Sequence, residues 1–156
     1  MEQLATILQD LGFLLYGGPM VAWAVLMRAQ GRLHQVDLPS IIRVFRSWGP
    51  GFGLALGAAV LGALLSRFLN TGSFTWSCDT PEACRDTVVW GLFLVMWASN
   101  IKLEIWSLEP LRKLDKDGTI SDLDQYNAAA AKFSNHLSLH AALVIAVAIG
   151  FALIRT

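Results

Sequence analysis

The stretch Phe133–Ile154, FSNHLSLHAALVIAVAIGFALI, holds no charged side chain between Lys132 and Arg155. At 1.5 Å per residue it reaches about 33 Å as a helix, enough to cross the roughly 30 Å hydrocarbon core of a bilayer. Its polar residues gather at one end. Ser134, Asn135, His136, Ser138 and His140 all precede a run that is apolar to Ile154.

Three more segments have the same character. Ser47–Ser66 is free of charge, and Leu11–Met27 lies between Asp10 and Arg28 and extends back toward Leu4. Thr87–Ile101 is shorter and continues past Lys102 and Glu104 to Leu108. The expected spans are residues 4–27, 50–69, 86–108 and 130–154. Composition agrees: the 156 residues are 54% hydrophobic and 15% charged, with mean hydropathy +0.50, whereas soluble domains carry roughly 25% charge. Such hydrophobicity excludes disorder. Twelve basic against twelve acidic residues give nothing to hold nucleic acid by charge. The fold class expected is all-α: a polytopic membrane protein with four transmembrane helices in one antiparallel bundle over residues 1–156. The first segment lacks a basic start and an Ala-x-Ala-like cleavage site, so it reads as a permanent span.

Basic residues orient the bundle, because loops rich in Lys and Arg stay cytoplasmic. The first loop has Arg28, Arg32, Arg43 and Arg46, and the third has Arg112, Lys113 and Lys116. The middle loop, residues 70–86, has only Arg85. Both termini and the middle loop are therefore expected outside. The only cysteines, Cys78 and Cys84, fall in that loop, where an oxidising compartment permits a disulfide. Thr80 and Pro81 read as N-cap and first residue of the third helix. The absence of a transit-type segment points to a bacterial inner membrane.

Within the first loop, Asp37-Leu38-Pro39 reads as a helix start. Ile41, Ile42, Val44, Phe45 and Trp48 alternate with Arg43 and Arg46, as in a short amphipathic helix lying in the interface with its arginines toward lipid phosphates. Gly53-x-x-x-Gly57 and Ala58-x-x-x-Gly62 in the second span are small-residue patterns that let helices approach closely. Gly17-Gly18-Pro19 predicts a kink in the first span. The third loop overlays a calcium-binding EF-hand loop from Lys113 to Asp124, with Asp115, Asp117 and Gly118 in matching places. Lys113 at the first position and Asp124 at the twelfth break the pattern. The alternative is an Asp-Gly turn followed by Ser121 as N-cap, the last helix starting near Asp122.

One constellation carries chemistry. His136 and His140 share a helix face, and Asn100 and Glu104 share another; in antiparallel helices they come to similar depth. Three readings fit them: a divalent metal held by Glu104, His136 and His140; haem or a chlorophyll-type pigment ligated by His136 or His140; or an interhelical hydrogen-bond network. No nucleophile elbow, zinc-protease motif or phosphate loop occurs, so an enzyme is not expected.

Glu109-Pro110-Leu111-Arg112, with Phe133-x-x-His136-x-Ser138, resembles small four-helix bacterial membrane proteins grouped around the copper-resistance D-like proteins and related families of unassigned function. The likeness covers about 50 residues and implies a four-helix bundle. It departs at the first helix, which has no histidine. Together these features lead us to expect an accessory or scaffolding subunit of a larger membrane complex, respiratory or photosynthetic, in contact with lipid and other membrane subunits. The alternatives are a haem- or pigment-binding redox subunit and a small metal-ion or solute transporter.

Overall fold

The computed structural model describes residues 1–29, 37–72, 76–116 and 118–154. Arg32 and His34 of the first loop, Asp117 of the EF-hand-like segment and Arg155 lie outside them. The elements in order are α1 (Glu2–Ala29), α2 (Leu38–Ser47), α3 (Gly49–Thr71), α4 (Pro81–Lys102), a π-helical segment (Leu103–Leu108), α5 (Glu109–Leu114), β1 (Asp115–Lys116), β2 (Thr119–Ile120) and α6 (Leu123–Ile154). Among the described residues four helical stretches are long and apolar enough to cross a membrane: Glu2–Ala29, Gly49–Asn70, Pro81–Leu114 and Leu123–Ile154. The protein is an all-α four-helix membrane protein. Large apolar side chains such as Leu14, Leu54, Val95 and Ile149 remain more than half exposed, as lipid-facing positions do.

Helix α1 is central. It packs along α3 on one side and α6 on the other, and α4 packs against α6. The α1–α3 approach is set by two glycines. A Cβ on Gly62 would stand 2.7 Å from the Ala5 carbonyl oxygen and closer still to the Gln9 nitrogen. A Cβ on Gly12 would stand 2.7 Å from the Ala55 carbonyl oxygen. Backbone meets backbone there, the geometry that small residues permit in membranes. Gly53 and Gly57 lie elsewhere: both are exposed, and a Cβ on either would meet nothing within 4 Å. Helix α1 runs through Gly17-Gly18-Pro19 as one continuous element.

The helix starts follow the sequence cues. The Asp37 carboxylate accepts from Ser40 N at 3.3 Å, with Pro39 in the first turn of α2. Thr80 Oγ1 accepts from Ala83 N at 3.1 Å, with Pro81 opening α4. At α6 the cap is Asp122, whose Oδ1 accepts from Gln125 N at 2.9 Å. Ser121, expected as that cap, instead donates to the Leu114 carbonyl. The reason is the small β1–β2 hairpin, which pairs Asp115 with Ile120 and carries the chain one residue beyond the expected start.

Helix α2 has the expected amphipathic pattern, with Ile41, Ile42 and Phe45 buried. Its arginines have a different use from the one expected. Arg43 donates to the Asp115 carboxylate at 2.8 and 3.2 Å and to the Gly118 carbonyl at 3.1 Å. Arg46 stands 3.8 Å from the same carboxylate. The hydrogen bond to Asp115 holds the Arg43 guanidinium above its ordinary pKa. Asp115, the only buried acid among the described residues of the EF-hand-like segment, thus serves as a clasp between α2 and the hairpin. Phe45 continues the contact inward, against Phe52 and Phe133 with ring centroids at 5.5 and 5.3 Å.

At the opposite end Cys78 and Cys84 lie at disulfide distance. Next to them Arg67 of α3 pairs with Asp86 of α4, its guanidinium over the Trp76 and Trp90 rings at 4.4 and 5.8 Å. A cation at the edge of the membrane is stabilised here by an acid and two aromatic faces at once.

The π-helical segment was not foreseen. The Glu109 N–H reaches back to the Glu104 carbonyl, five residues instead of four. Pro110 follows immediately. A proline there has no N–H for the Trp106 carbonyl and its ring would press on that turn, so a widened turn before it relieves the conflict.

Candidate functional site

Where α1, α4 and α6 meet, four polar side chains close into one network. Tyr16 and His140 are fully buried, their rings edge to face at 5.8 Å. The Tyr16 hydroxyl donates to Asn100 Oδ1 at 2.8 Å and bonds to His140 Nε2. On the other side of the imidazole, Nδ1 meets Ser99 Oγ at 3.2 Å.

The donors and acceptors fit in one order. Tyrosine has a single proton and gives it to Asn100, so the bond to His140 must be donated by Nε2–H. Nδ1 is then the lone-pair nitrogen and accepts from the Ser99 hydroxyl. A neutral imidazole in one tautomer satisfies every bond, and no proton is left over. Such a closed network fixes helix register more than it performs chemistry. Because both ring nitrogens are engaged, His140 has none to offer a metal or a macrocycle.

His136, one turn earlier, is separate. Its Nδ1 is 2.7 Å from Ser107 Oγ, and Ser107 is buried within the π-helical segment. Its Nε2 has no hydrogen-bond partner among the described residues. A third link joins Arg28 Nε to Ser138 Oγ at 3.0 Å, tying the end of α1 to α6. Ser138 in turn donates to the Ser134 carbonyl.

Glu104 joins none of these. Its side chain is half exposed and 3.9 Å from Arg112, which also bonds Glu109 at 3.3 Å. Among the described residues no three of His, Cys, Asp and Glu come close enough to share a metal ion. The set Glu104, His136 and His140 is therefore not assembled. The sequence pattern places Asn100 and Glu104 on one face at α-helical spacing. The π-helical segment begins at Leu103, so that spacing ends between them. Asn100 turns to the core and Glu104 to the surface.

Three members of these contacts were not singled out from sequence. Tyr16 was hidden in an apolar span, although a phenol there must find a partner for its hydroxyl, which was the available signal. Ser99 and Ser107 gave none, since a lone serine in a membrane helix can bond its own backbone.

A second feature lies between α3 and α4, which pack little against each other. A seam with a volume of about 360 Å³ separates them, bordered by Gly53, Gly57, Val60, Leu64, Trp97 and Asn100. Trp97 is 48% exposed, and Asn100, the end of the Tyr16–His140 network, forms the polar point on an otherwise apolar wall. No family model, curated protein or solved structure matches the chain.

Proposed function

We propose that the protein is an accessory subunit of a larger membrane complex and that the α3–α4 seam receives a helix of another subunit. One observation carries this reading. Gly53 and Gly57 form a close-packing face on which no described residue is packed, beside an exposed tryptophan and an amide that can donate across the interface. Small residues with one polar anchor are what membrane helices use to associate, in the absence of a hydrophobic drive between helices. The host is of a respiratory or photosynthetic type in a bacterial inner membrane, with both termini and the Cys78–Cys84 loop periplasmic. Purification in a mild detergent, followed by mass determination of co-migrating chains, tests the reading. A protein that runs alone as a monomer overturns it. Gly57→Leu, which fills the seam from the free side of α3, should release the partner.

A second reading has its own observation. His136 holds Nδ1 on Ser107 and keeps Nε2 open, the orientation in which an imidazole serves as an axial ligand. A Soret band lost in His136→Ala supports haem or pigment binding there, and a colourless native protein excludes it. Kinship with the copper-resistance D-like proteins is a further proposal resting on the motifs around Glu109 and His136; copper titration of the purified protein tests it.

A further inference from the structure

Gln9 in α1 is 5% exposed, and its side-chain amide has no hydrogen-bond partner among the described residues. The amide is not fully enclosed, and it faces the open space beside it. Gln9 borders two cavities. One, of about 500 Å³, opens at the disulfide end among α1, α3, α4 and α6; its polar lining includes Gln9, Arg67, Asn70, Glu82, Arg85 and Asp86. The other, of about 530 Å³, is an apolar groove between α1 and α6 bordered by Phe13, Gly18, Val21, Val144 and Ala148. Gln9 and Phe151 border both, so the two are adjacent.

The charges of the polar cavity balance. Arg67 and Asp86 bind each other. Glu82 and Arg85 stand exposed three residues apart at its mouth, with no ion-pair partner among the described residues. Such a lining suits a ligand that brings an ammonium and an anionic oxygen together. A lipid with a net negative head could still place its phosphate on Arg85 but would bring no ammonium to Glu82. The groove adds the second criterion. From Gln9 to Val21 it follows about 18 Å of helix, close to the depth of one leaflet of a roughly 30 Å core.

We propose that this double cavity binds one zwitterionic glycerophospholipid, its ammonium and phosphate in the polar cavity at the disulfide end and an acyl chain in the α1–α6 groove. The phosphate accepts from the Gln9 amide and Arg85, and the ammonium faces Glu82. A soluble zwitterion shares the head chemistry but leaves the groove empty, and the groove is the reason for assigning a lipid.

The test is native mass spectrometry of the protein released from nanodiscs holding equal amounts of phosphatidylethanolamine and phosphatidylglycerol. One bound phosphatidylethanolamine is expected in preference to phosphatidylglycerol. Gln9→Leu removes the amide at similar volume. Gly18→Leu puts a side chain into the groove from a position where a Cβ meets nothing within 4 Å. Each should lower retention about fivefold. Equal retention of the two lipids overturns the proposal, as does retention unchanged in both variants. Phosphoethanolamine added to detergent-solubilised protein separates the sources. If it binds as well as the lipid and Gly18→Leu leaves its binding intact, the site belongs to a soluble zwitterion and the lipid assignment fails.

Discussion

Replacing Gly62 by alanine, next to the same change at Gly57, isolates the force that holds α1 to α3. Both residues are interior to the same helix, so both substitutions gain the same propensity, about 1 kcal/mol. Only one meets an obstacle. At Gly62 the new methyl would lie 2.7 Å from the Ala5 oxygen and nearer yet to Gln9 N, about 1 Å inside the 3.5–4.0 Å of comfortable contact. The obstacle is backbone and cannot swing aside. Helix α1 must retreat, and a gap of that size forfeits a quarter to a half of the attraction between the surfaces it opens. Overpacking of this kind costs about 1–3 kcal/mol. At Gly57 nothing stands within 4 Å, so the propensity gain remains. Reversible unfolding in mixed micelles with increasing SDS, followed by tryptophan fluorescence, should put Gly62→Ala below Gly57→Ala by about 1–3 kcal/mol. Equal stabilities would refute the backbone contact and with it the reason that α1 and α3 lie so close.

Other outcomes follow from single contacts. Tyr16→Phe and His140→Leu should each cost about 0.6–2 kcal/mol in the same assay, and the double variant less than their sum, because both break the bond between them; additive losses would mean that the network is not shared. Asp115→Ala should cost about 1.5–3 kcal/mol locally and speed amide exchange in α2 while leaving α1 protected; uniform exchange in the two helices would sink the clasp. Cys78→Ser opens a loop that joins residues six apart in sequence and should cost about 2 kcal/mol on chain-entropy grounds. Alkylation with and without reductant, read by intact mass, shows whether the bond forms.

The spans were legible because lipid punishes charge so evenly along a helix that its absence can be counted. The caps were legible for a comparable reason: Asp37 and Thr80 act on their own helix starts and need no distant partner. What required three dimensions was the direction in which a face points. The glycines of α3 look alike in sequence, yet Gly62 is pressed on α1 while Gly53 and Gly57 are bare, since which row meets a neighbour depends on helix rotation. Arg43 posed the same difficulty. Its acid, Asp115, is 72 residues away, and nothing in α2 announces it. Glu104 departs from the face that a single helical period implies, because the period changes at Leu103.

That change of period acts as a phase shifter. In an unbroken α-helix each residue advances about 100° around the axis, and a heptad-like stripe drifts off its partner over so long a rod. The stretch Pro81–Leu114 meets α6 over most of its length, and Met96, Leu103, Leu108 and Leu111 all stay buried. The widened turn resets the angular count once, partway along, so that one continuous rod keeps two successive stripes in mesh with the same straight neighbour. Deleting a single residue between Leu103 and Leu108 would close the widened turn to an ordinary α-helical one and leave Leu111 in the core, whereas the full sequence forced through at one α-helical period would swing Leu111 about 100° out of it.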